Sequence, residues 1–158
     1  MILALDPGPV DTAYVRVGDD WRVREADHIS NQHVLDVVLP SHRGQVVCET
    51  MQSMGMAVGV EVFETCIWVG RYWQVAVAAG LPFARVRRTD IKMHLCGTTT
   101  AKDPNIRQAL IDQFGPGKEA AVGTKRAPGP LYGVANHEWS ALAAAVTWAA
   151  SPRPQEGI

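Results

Sequence analysis

The chain has little cysteine. Cys48, Cys66 and Cys96 are odd in number and scattered over 158 residues with no CxxC pair, so neither a disulfide framework nor a structural zinc site is expected. They read as buried or incidental thiols. The glycines form no GxGxxG fingerprint, which argues against a dinucleotide-binding turn. No apolar run approaches the roughly 20 residues of a bilayer span, and the first residues lack the basic region and apolar stretch of an export signal. A cytoplasmic protein with no membrane partner is the expectation. Net charge is also nearly missing, at -1, but the balance is uneven along the chain. Residues 1–64 hold ten acids against four Lys or Arg, and residues 85–126 hold nine Lys or Arg against four acids. One end can thus gather carboxylates for a metal while the other attracts phosphate; solvated surface charge is the alternative.

Hydrophobic residues, at 47%, are sufficient for one core, and the length suits a single domain over residues 1–150 with a flexible tail at 151–158. Residues 1–6 and 12–17 read as strands around the turn Pro7–Asp11, and Trp21-Arg22-Val23 as the start of a third. A short helix is expected over Asn31–Leu39, ended by Pro40, then a central strand at 45–49. Residues 56–79 predict one or two helices whose apolar side collects Val60, Phe63, Ile67, Val69, Tyr72 and Val75. Strand 83–86, helix 104–114, a Gly/Pro/Lys-rich loop to about Gly133 and an Ala-rich helix over His137–Ala150 complete a mixed α/β order.

The chemistry sits at strand ends. Met1-Ile2-Leu3-Ala4-Leu5-Asp6 and Gln45-Val46-Val47-Cys48-Glu49 are apolar strands that each terminate in an acid. A carboxylate leaving a hydrophobic core needs compensation, and a shared divalent cation would provide it. His137 and Glu138 open the last helix and are the candidates to complete the site. Plainer readings stay open: Asp6 as a cap of the Pro7–Asp11 turn, Glu49 as favourable charge at a helix start, and His137 and Glu138 as ordinary first-turn residues behind an Asn136 N-cap. Glu61 and Glu64 read as an exposed helix face, and Trp68, Tyr72 and Trp73 as core or subunit interface.

The order of LALDPG with Asp6, VVCET with Glu49, and HEWSALAAAVTW resembles the RuvC-type Holliday junction resolvases of the RNase H-like superfamily, phage or prophage members above all, over roughly residues 1–150. The resemblance implies a mixed five-stranded sheet flanked by helices, two magnesium ions for which manganese can substitute, and a homodimer that cuts opposing strands of a four-way DNA junction, in the host-cell cytoplasm if the protein is phage-encoded. Other branched DNA as substrate, or a non-catalytic DNA-binding scaffold, are the alternatives. Asp6 and Glu49 match the family's first aspartate and its glutamate. The last helix of the family carries two ligands in a pattern close to D-x-x-D-A-L-A, which places His137 at the first and Ser140 at the second. Serine cannot replace a carboxylate, and Glu138 is the neighbouring candidate to supply it. The basic stretch Arg85, Arg87, Arg88 and Lys92, with Lys102 and Arg107 beyond it, resembles the family's approach to junction phosphates. Lys118, Lys125 and Arg126 suit a mobile DNA-contacting loop, or simply an exposed one.

Overall fold

Leu3, Ala4 and Leu5 are all fully buried, so the first strand is covered on both faces of a sheet. The computed structural model describes residues 1–53 and 55–151. The expected tail therefore lies, from residue 152 onward, outside the described residues. Strand β1 (Ile2–Pro7) pairs antiparallel with β2 (Asp11–Val17), which pairs antiparallel with β3 (Val23–Ser30). On its other side β1 pairs in parallel with β4 (Gln45–Thr50), which pairs in parallel with β5 (Phe83–Arg87). The order is β3-β2-β1-β4-β5, a mixed five-stranded sheet flanked by helices, as expected for the RNase H-like architecture.

Side chains two apart on a strand share a face. Leu3, Leu5, Val46 and Cys48 point to one side, against α3 (Val60–Ala78) and the helical stretch 31–41. Ala4 and Val47 point to the other, against α4 (Arg88–Cys96), α5 (Asp103–Phe114) and α7 (Glu138–Ala150). Helix α7 is buried from Glu138 to Thr147 except at half-buried Ser140, and its alanines let it lie close over the strands.

Three expectations are corrected. The third strand starts at Val23, so Trp21 and Arg22 precede it, and it runs to Ser30 through Arg24-Glu25-Ala26-Asp27-His28, an edge strand too polar to show an apolar alternation. The stretch after it is α1 (Asn31–His33), a π-helical turn Val34–Val38, and α2 (Leu39–Ser41), which carries Pro40 inside rather than stopping before it. The extra residue of a π-turn lets Val34, Val38 and Leu39 all reach the core. Finally, α3 turns Thr65, Val69, Tyr72 and Ala76 inward and leaves Val60, Phe63 and Ile67 outside, at 70%, 60% and 56% exposure. Glu61 and Glu64 are exposed as expected, and Tyr72 belongs to the core.

The loop from 115 to 133 is hydrogen-bonded within itself and to the sheet. It holds α6 (Lys118–Ala121) and a tight turn in which the Thr124 and Ala127 backbones exchange hydrogen bonds at 3.0 and 3.1 Å. Pro130 O accepts from Val23 N at 2.8 Å and fastens the loop to the sheet. Among the described residues no helix is long and apolar enough to cross a membrane.

Buried Asn31 ties the β1–β2 turn to the rest of the fold. Its Nδ2 donates to Gly8 O at 3.0 Å, its backbone N–H to Val10 O at 3.0 Å, and its Oδ1 accepts from Tyr72 OH at 3.1 Å and from Thr12 Oγ1. The turn is tight: a Cβ on Gly8 would stand 2.9 Å from Asp11 O. Replacing Asn31 with Ala would remove the side-chain bonds to Gly8 O, Thr12 and Tyr72, leaving the Thr12 hydroxyl only Tyr72 OH at 2.9 Å, so Asn31→Ala is expected to cost about 2 kcal/mol of stability. Chemical denaturation with an unchanged m-value checks this; a loss under about 0.5 kcal/mol would dismiss the network as incidental.

Candidate active site

Asp6 shares the face of Ala4 and Glu49 that of Val47, so the parity that buries those residues under α7 also turns both acids toward it. The strands are parallel neighbours in a register that sets Leu5 beside Cys48, which makes Asp6 and Glu49 adjacent at the ends where both strands leave the core. Strand β5 extends the row. Glu49 is in register with Val86, and Arg88, two residues on at the start of α4, faces the same way.

The guanidinium of Arg88 lies among the acids. Its Nη1 donates to Glu49 Oε2 and to Ser140 Oγ, each at 3.3 Å, and its Nη2 to Asp103 Oδ1. Ser140, from the first turn of α7, also lies near enough to Asp6 to favour its ionised form. Burial pushes the Asp6 carboxyl up to about 6, against the lowering influence of Arg88, His137 and Ser140. Burial and then the Asp6 charge push Glu49 up to about 8, with Arg88 again opposing. Both acids thus hold protons more tightly than exposed carboxylates do, because each is desolvated beside the other.

His137 is the N-cap of α7, in place of the expected Asn136, which precedes it in the left-handed region at φ 38°. That conformation suits asparagine better than most side chains. The His137 ring is exposed, with its centroid 5.0 Å from that of His28 on β3. Its charge acts on Asp6. Glu138 is buried, and its Oε2 has no hydrogen-bond partner among the described residues. Residues two apart on a helix differ by about 200°, so Glu138 and Ser140 leave α7 on different sides. Among the described residues no group of three or more His, Cys, Asp or Glu side chains is placed to hold a metal ion. The acids that do meet are Asp6 and Glu49, with Asp103 reaching them through Arg88.

The remaining basic candidates are dispersed. Arg85 lies over the Trp73 ring at 4.6 Å, and Arg107 over Trp139 at 5.0 Å. Arg87 grips Asp90 with two hydrogen bonds of 2.7 and 3.0 Å. Lys92 is half-buried on α4, Lys102 is the exposed N-cap of α5, Lys118 opens α6, and Lys125 and Arg126 form the tip of the Thr124–Ala127 turn. Asp103 and His28 were not anticipated from sequence. Neither stands in a motif; both reach the site through folding alone.

No protein-family model matches the chain, and no curated protein matches it significantly. Among solved structures it superposes on Thermus thermophilus RuvC with a TM-score of 0.61 and 19% identity, over 94% of this chain and 92% of that one. It also superposes on T. thermophilus RuvC in complex with a Holliday junction substrate, with a TM-score of 0.62, 19% identity and the same coverage, 94% and 92%. The chain therefore has the fold of RuvC, a mixed five-stranded RNase H-like sheet with its helices on both faces.

Proposed function

We propose that the chain is a metal-dependent endonuclease that resolves four-way DNA junctions by paired phosphodiester hydrolysis, acting as a homodimer. The observation that carries this reading is the pair of buried carboxylates, Asp6 and Glu49, at neighbouring strand ends of a RuvC fold. Their chemistry fits a divalent cation: desolvation makes both weaker acids, the Asp6 charge weakens Glu49 further, and a cation between them would relieve that cost. Asp6 and Glu49 would hold magnesium, which would supply positive charge to the phosphate oxygens as the bond to phosphorus breaks. His137, exposed at the helix start, is also positioned to accept a proton from an attacking water. The outward row Val60, Phe63 and Ile67 on α3 offers an apolar surface for a second protomer.

A labelled four-way junction incubated with magnesium or manganese tests the reading. Paired cuts near the branch support it, and flap and linear duplex run alongside separate junction resolution from cleavage of other branched DNA. A second reading is a junction-binding scaffold without catalysis. It is favoured by Ser140 at a position where the family pattern has an acid, and by the absence of a three-donor cluster among the described residues. Junction binding with no cutting in either metal would establish it.

Lys102 and Arg107 are the proposed phosphate contacts on α5. Lys102→Ala is the cleaner test, since Arg107 also packs on Trp139. Removing one phosphate contact is expected to weaken junction binding at low salt and to lower the slope of log affinity against log salt by about one. Fluorescence anisotropy across salt concentrations measures it, and an unchanged slope would remove Lys102 from the interface.

A further inference from the structure

The site has one positive charge built in. Arg88 reaches it because β5 ends in register with β4, and its guanidinium contacts Glu49, Ser140 and Asp103 at once. The side chain is half-buried, with 28% exposure, and its partner Glu49 has 13%. A guanidinium so held cannot be neutralised by deprotonation, unlike a histidine or a lysine. Ser140, where a carboxylate would add negative charge, instead offers a hydroxyl that accepts from Arg88. Glu49 and the 79%-exposed Asp103 contact this fixed cation and Asp6 feels its charge, so with all three carboxylates ionised the two charges left over match a single divalent ion. A second divalent ion would lie against the guanidinium with no carboxylate from α7 to offset the repulsion.

We propose that Arg88 takes the place of a second metal ion, so that the site binds one divalent cation per chain. This rests on the nuclease reading for its chemistry, and it departs from the two-ion expectation drawn from the family resemblance. The serine and the arginine form one device: the hydroxyl leaves room and a hydrogen-bond acceptor for the guanidinium, and the guanidinium supplies the charge that an acid at position 140 would have recruited in a metal. Arg88 then belongs to the carboxylate site and not to the general phosphate-binding surface.

Manganese is the probe, counted by electron paramagnetic resonance of free Mn2+ and by titration calorimetry on the full chain. Wild type is expected to bind one ion per chain. Arg88→Lys keeps the charge and is expected to bind one. Arg88→Gln is expected to bind the first ion about tenfold more tightly, since a neighbouring positive charge is gone. The double substitution Arg88→Gln with Ser140→Asp is expected to bind two. Two ions or none on wild type overturns the proposal, as does one ion on a folded double variant. Should the double variant not fold, the counts for wild type and Arg88→Lys decide alone. Junction cleavage measured on the same samples keeps the two conclusions apart. One ion with no cutting sinks the nuclease reading and keeps the role of Arg88; cutting with two ions does the reverse.

Discussion

Asp6→Asn and Glu49→Gln are each expected to lower the single-turnover rate of magnesium-supported junction cleavage by about a thousandfold or more, while junction affinity stays within about twofold of wild type. Each exchange conserves shape and removes the charge that would hold the ion. A catalytic cation contributes several kcal/mol to the transition state, and about 1.4 kcal/mol is a factor of ten in rate. The structure adds a second signature. Glu49 is raised to about 8, so its ionised form is disfavoured in the folded protein, and Glu49→Gln should melt at a higher temperature than wild type in chelator above that pH. Cleavage at the wild-type rate by both acid variants would discard the site. Cleavage lost together with binding would point to a misfolded or DNA-contacting role instead.

The metal-free protein is expected to lose stability as pH rises, contrary to the usual behaviour of paired carboxylates. In the unfolded chain Asp and Glu ionise near pH 4, whereas the native chain keeps protons on Asp6 to about 6 and on Glu49 to about 8. Between those limits the folded state binds more protons than the unfolded state, so the slope of stability with pH is negative. The contribution is fully present below about pH 4 and is lost as pH passes through the folded values. For a chain of this size, about 2 kcal/mol lost this way lowers Tm by roughly 5 °C. Magnesium reverses the trend, because it binds the ionised form. Its affinity should rise about tenfold per pH unit while Glu49 is protonated, close to a hundredfold between pH 6 and 8. Melting curves in EDTA and in magnesium, each taken as the difference between wild type and Glu49→Gln, isolate this group from every other. A wild-type excess in EDTA that grows with pH would contradict the burial of Glu49 beside Asp6.

The strand ends were legible because they depend on two local rules. An apolar run that stops at an acid marks where a strand leaves the core, and a period of two puts Asp6 with Ala4 and Glu49 with Val47. Elements that broke local rules were harder to read. The strand through Arg24-Glu25-Ala26-Asp27-His28 is stabilised by hydrogen bonding to β2 at a sheet edge and carries almost no apolar signature. Val60, Phe63 and Ile67 have the spacing of a buried stripe, yet α3 is rotated so that Thr65, Val69, Tyr72 and Ala76 meet the sheet. Pattern specifies that a helix has an apolar side; it does not specify which of two candidate sides the neighbours leave room for.

By itself, then, the sequence determined the order of elements, the two acids at the ends of β1 and β4, the histidine at the start of α7 and the serine where the family pattern has an aspartate. Each is a matter of composition and short-range periodicity. Only the tertiary structure decided the company those residues keep. Parallel register set Asp6 beside Glu49, the turn after β5 carried Arg88 from a basic run into their midst, and the start of α5 brought Asp103 to its other side. Helical rotation aimed Ser140 at Asp6. Charge along a chain says nothing about distance, and at a few ångströms distance determines whether an arginine is a surface cation or the counter-ion of a buried carboxylate.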